Sequence, residues 1–95
     1  MDIDDYSDLD KVLKKAKKYI GDKVEIALST RKGKKFMVRK PDNKWVHFGA
    51  LGFQDFTKHN DEKRRMNYIN RATGIKGNWK DNKYSPNNLS INILW

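Results

Sequence analysis

The chain has 95 residues, with 21 Lys and Arg against 12 Asp and Glu, a net charge of +9, and no cysteine. That length allows one domain with a single small core. The missing thiols exclude a disulfide framework and any cysteine-based zinc site.

The opening "MDIDDYSD" is acidic and unlike a signal peptide. No apolar run approaches the roughly 20 residues of a membrane span. Asp2, Asp4, Asp5, Asp8 and Asp10 fall in the first ten residues, so residues 11–95 hold 21 cations and 7 anions. The expected description is one small basic domain over 1–95, with residues 1–6 as an acidic arm. Such a field draws in polyanions, and the plain alternative is a solubilising surface.

Ser7 followed by Asp10 has capping-box spacing, with Asp in place of Glu. Leu9, Val12, Leu13, Ala16, Tyr19 and Ile20 recur at helical spacing, so a helix is expected over about 8–20, closed by Gly21. Its remaining face carries Lys11, Lys14, Lys15, Lys17 and Lys18, in the plain reading a solvated face. "KVEIALS", "KFMVRK" and "WVHF" alternate as strands, joined by turns at Gly33 and at Pro41-Asp42-Asn43. Connections this short favour an antiparallel meander.

Gly49 and Gly52 flank a loop or bend, and "FQDFTKHN" is ambiguous. Asn60 is a candidate cap for a second helix, "DEKRRMNYINRA", ended by Gly74. "GIKGNWKDNKYSPNN" reads as loop. At the end, Leu89, Ile91, Ile93 and Trp95 alternate like a strand, yet Ser85 with Pro86 is a position-specific helix start, which favours a short helix. The fold class expected is α+β: an N-terminal helix, a three-stranded antiparallel β-meander, a second helix and a short C-terminal helix.

Three constellations bear on function. Arg31, Lys32, Lys34 and Lys35 cluster at one turn of the meander, and Arg39, Lys40 and Lys44 at the next. Antiparallel strands place alternate turns at opposite ends of a sheet, so the two clusters need not form one patch. Trp45, His47 or Met37 can lie on the face opposite Phe36 and Val38. There Trp45 and His47 are candidates to stack on bases, although a lone Trp in a strand is more ordinarily a core residue. On the second helix, Lys63, Arg64 and Arg71 share about one face, since a spacing of seven is two turns. With Arg65 they are expected to contact phosphates, and Asn67 and Asn70 are candidates to read base edges. Asp61 and Glu62 can instead pair with these cations along the helix.

Catalytic signatures are absent. His47 and His59 show no metal-ligand spacing, "RKGKK" lacks the P-loop frame, and no Ser-His-Asp context exists. The chain is expected to be no enzyme and to need no metal or cofactor.

An ordered series of motifs runs from residue 34 to 95. Lys34-Lys35-Phe36 is followed by Lys44-x-Val46-His47-Phe48-Gly49, then Phe53, Asp55 and Phe56. Asp61, Lys63, Arg64, Arg65, Tyr68 and Arg71 come next, then Ser85-Pro86 and a terminal Leu94-Trp95. This series resembles a family of small basic proteins encoded by large eukaryotic DNA viruses and some large phages. Members of that family often carry an aromatic after Ser-Pro and end in Leu-Leu-Trp, from which "NNLSINILW" departs. The resemblance implies a viral origin, and a place in the virion or the interior of an infected cell.

Two functions are weighed. The first is a nucleic-acid-binding protein of little sequence preference, with DNA favoured over RNA, that helps condense or package a genome. The second is a cement protein between larger coat proteins, contacting them through the apolar end, with Trp79, Tyr84 and Trp95 as partner-binding residues.

Overall fold

The computed structural model of the chain describes residues 3–95. Met1 and Asp2, the first residues of the expected acidic arm, lie outside them. Helix α1 (Leu9–Tyr19) forms where the apolar spacing places it, and buries Val12 and Ala16. Its N-cap is Asp8, whose side chain accepts from the Lys11 N–H at 3.2 Å. Ser7, expected in that role, is buried, and its hydroxyl donates to Asp55 instead. The rest of the expected arm is also held on the body. Ile3 packs against the core, and the Tyr6 carbonyl accepts from the Asp55 N–H at 3.0 Å.

Strands β1 (Ile26–Leu28), β2 (Lys34–Arg39) and β3 (Trp45–Ala50) form one antiparallel sheet in the order β1-β2-β3. Register pairs Phe36 with Phe48 and Val38 with Val46, so one face is apolar, and the two phenylalanine rings lie 6.1 Å apart. The Pro41–Lys44 turn sets Asn43 at φ 70°, a left-handed position that asparagine tolerates.

After β3 the chain makes two helices where one was expected. Asp55 caps α2 (Phe56–His59), and Asn60 closes it in a left-handed conformation, φ 54°. Asp61, not Asn60, then caps α3 (Glu62–Thr73), accepting from the N–H groups of Lys63 and Arg64. The segment that follows is irregular apart from a 3-10 turn at Trp79–Asp81.

The tail is helical. Ser85 accepts from the Asn88 N–H at 3.2 Å, Pro86 opens α4 (Pro86–Leu89), and a π-helical turn, Ser90–Leu94, extends it. That wider turn closes with the Trp95 N–H on the Ser90 carbonyl at 3.1 Å. Residues four and five apart then face one way, so Leu89, Ile93 and Leu94 all enter the core with Val12, Ala16, Phe36, Val38 and Phe48. The apolar end therefore supplies three of the most deeply buried side chains, each worth about 1.5–3 kcal/mol of burial.

Candidate nucleic-acid interface

Positions 64, 67, 68 and 71 of α3 follow the i, i+3, i+4, i+7 rule and share one face. That face lines a groove of about 450 Å3, together with Ala50, Phe53 and Trp95. Arg64, Asn67 and Arg71 are exposed there, and among the described residues neither arginine takes part in an ion pair. Tyr68 and Trp95 stack almost parallel, 10° apart in plane with ring centroids 4.2 Å apart, and form a fixed wall. The Arg71 guanidinium lies 5.7 Å from the Tyr68 ring centre. Burial raises the Tyr68 phenol above its ordinary value, with the Ser90 hydrogen bond acting the other way. Phe53, in the loop after β3, is 69% exposed beside the same groove.

Lys35 lines the groove floor yet makes no surface for phosphate, which corrects its expected role. It is 3% exposed, and its ammonium sits 2.9 Å from Asp55 Oδ2 and 3.4 Å from the Tyr6 carbonyl. Desolvation lowers its pKa from the usual value, and the Asp55 contact opposes that. The hydroxyls of Ser7 and Thr57 both donate to the Asp55 carboxylate, and the Thr57 N–H adds a bond of 3.1 Å. Asp55 thus joins the N-terminal segment, β2 and α2 with its acceptor sites filled, as a buried carboxylate requires. Nothing in the residue spacing marks Lys35 and Asp55 as partners, because they are 20 positions apart.

Arg65 is also anchored. Its Nε donates to the Trp95 main-chain oxygen at 2.9 Å, its Nη1 lies 3.7 Å from Glu62, and its guanidinium is 5.5 Å from the Phe56 ring centre. Beside it, burial and then the charge of Arg65 lower the Lys15 pKa, with Asp55 raising it. Of the α1 lysines, Lys15 is thus within electrostatic reach of Arg65. Lys63 is exposed and, unlike Arg64 and Arg71, does not line the groove.

The turn clusters separate as antiparallel geometry requires. Arg31, Lys32 and Lys34 are exposed at the β1–β2 turn, and Lys34 pairs across the sheet with Ala50 at the groove edge. Arg39 and Lys44 are at the other end. Arg39 is engaged by Glu25 at 3.1 Å and lies 5.8 Å from the Trp45 ring centre. Trp45 is 38% exposed and outside the core, and His47 shares a 2.7 Å hydrogen bond with Ser29. Trp79 and Tyr84 are half-buried, and the Trp79 indole donates to the Ile75 carbonyl at 2.7 Å.

Phe53 and Tyr68 escaped the sequence reading as site residues. For Phe53 a signal existed: an aromatic next to Gly52 in a loop has few neighbours to bury it. Among the described residues no group of three or more His, Asp or Glu side chains is placed to hold a metal ion, and no helix is long and apolar enough to cross a membrane.

A model of a family of unknown function, DUF5754, matches residues 24–72. The match takes in the whole sheet, Asp55 and the α3 face, and omits α1 and α4. No curated protein and no solved structure matches the chain.

Proposed function

This chain belongs to the DUF5754 family, whose function is unknown, and we propose that it binds nucleic acid through the phosphate backbone with little sequence preference. The observation that carries this reading is the pair Arg64 and Arg71, two turns apart on one face of α3, both exposed and free of ion pairs among the described residues. A guanidinium with no internal carboxylate is ready for a phosphate, and its planar fork matches that group. The exposed Arg31, Lys32 and Lys34 at the adjoining turn, and the α1 lysines, extend the attractive field. The resemblance to proteins of large DNA viruses supports a role in condensing or packaging a genome.

Electrophoretic shift of DNA and RNA by the purified protein, over a series of salt concentrations, tests the reading. Retardation at low salt that disappears as salt rises is expected, because bound phosphates release counterions. Absence of retardation at the lowest salt would end it.

A second reading, a cement protein docking on larger coat proteins, rests on a different observation. Leu9, Leu13 and Leu28 are exposed and line a shallow apolar hollow of about 230 Å3 between α1 and the edge strand β1. Replacing these leucines with serine discriminates, since it leaves the α3 face intact and removes only this patch.

A further inference from the structure

We infer that the α3 groove takes single-stranded nucleic acid, with one unstacked base lying on Phe53 and neighbouring phosphates on Arg64 and Arg71. This deepens the proposed function and rests on it.

The groove combines two features that a single strand uses together more readily than a duplex. One is charge at its rim. Arg64 and Arg71 are separated by two helical turns, about 10 Å along the axis, which leaves room for a sugar and base between two phosphate contacts. The other is apolar, aromatic walling. Phe53 stands 69% exposed beside the groove, and the Tyr68–Trp95 stack forms part of its lining. A whole base face lies open to stacking in a single strand, whereas a duplex presents phosphates and groove edges and exposes a base face only where a step is unstacked at a cost. A cavity of about 450 Å3 lies within the size range of sites that enclose one small ligand. A groove built only to follow a duplex backbone gains nothing from an exposed phenylalanine, which leaves an apolar ring in water. Asn67, between the two arginines on the same face, adds a neutral donor and acceptor near the sugar or base.

The Tyr68–Trp95 wall is also held in place. Arg65 clamps Trp95 through the 2.9 Å bond to its main-chain oxygen, and His59 packs on the Trp95 ring with centroids 5.2 Å apart. The stack therefore meets a ligand as a preformed surface and loses little side-chain freedom on binding.

The test measures fluorescence anisotropy of an oligo(dT) strand and of a duplex of the same length, at one salt concentration. The proteins are the wild type, Phe53→Ala and the double variant Arg64→Gln/Arg71→Gln. All three replaced side chains are exposed, so the variants are expected to fold, as circular dichroism and thermal melting check. The wild type is expected to bind the single strand at least about tenfold more tightly. Phe53→Ala is expected to weaken single-strand binding by about 5- to 150-fold, the range of one lost stacked base, while changing duplex binding less than about twofold. Duplex binding equal to or tighter than single-strand binding, unaffected by Phe53→Ala but weakened in the double variant, overturns this inference and leaves the phosphate-binding reading in place. Binding of neither form by the wild type overturns both.

Discussion

The Lys35 ammonium lies 2.9 Å from the Asp55 carboxylate, and both side chains are almost wholly buried. A lysine of the basic cluster is thereby turned inward as a structural cation. Removing either partner leaves the other charged in a dry site, and for Asp55 also costs the α2 cap and two hydroxyl bonds. Asp55→Ala is expected to destabilise the fold by about 3–5 kcal/mol, read as a lower urea midpoint. The double variant Lys35→Met/Asp55→Leu is expected to be more stable than Asp55→Ala, because no buried charge is left unpaired.

Gly49 makes a second prediction. Its φ is +84°, and an added Cβ would lie 2.8 Å from Leu94 Cδ1 and 3.2 Å from Lys35 Cβ. Gly49→Ala is expected to cost about 2–5 kcal/mol from backbone strain and overpacking together. Gly33 has a similar φ, +82°, and open space around it. Gly33→Ala should therefore cost about 1–2 kcal/mol from strain alone. Urea unfolding of the two variants side by side checks the order.

Neither of these sites is legible in the sequence, because each joins distant segments, whereas much of the fold is. Periodicity carried α1, the three strands and the shared face of Phe36 and Val38, because local spacing alone determines which side chains share a face. The cap at Ser85-Pro86 carried the tail helix against a competing strand pattern. The helix caps were harder. Ser7 and Asn60 are good cap types with competing duties, one tied to Asp55 and the other closing α2, and only the tertiary structure assigns those duties. At the site, the seven-residue spacing placed Arg64 and Arg71 together, but the aromatic walls and the inward turn of Lys35 depend on contacts between distant segments.

His59 predicts a pH effect. Its Nδ1 accepts from the Asp61 N–H at 2.9 Å at the start of α3, its Nε2 is buried with no hydrogen-bond partner among the described residues, and its ring packs on Trp95 and Phe56. Burial is the main cause that lowers its pKa from the ordinary 6.5; Arg64 and Lys35 act in the same direction, and Asp61 and Asp55 oppose them. A depressed folded-state pKa means that the unfolded chain takes up the proton first. Stability is then full above about pH 6.5 and is lost as pH falls through the lower folded value. His59→Gln is expected to flatten that part of the stability curve, measured by urea midpoints from neutral to mildly acidic pH. An unchanged curve would contradict it.

Leu94 tests the placement of the tail. It is 1% exposed and touches both the core and the groove. Leu94→Ala is expected to destabilise by about 2–5 kcal/mol. Removing the chain after Pro86 deletes Leu89, Ile93 and Leu94 together, so loss of the cooperative unfolding transition is expected. A truncated protein that still melts cooperatively would show the tail to be dispensable for the core.

The cations at Arg64 and Arg71 are the point on which nucleic-acid binding turns. The most direct measurement is the slope of log affinity against log salt for the wild type and for Arg64→Gln/Arg71→Gln, with the same oligo(dT) strand. Loss of two phosphate contacts predicts weaker binding and a slope shallower by about 1.4, since each contact on a single strand contributes about 0.7. A double variant that binds with the wild-type affinity and slope would contradict it.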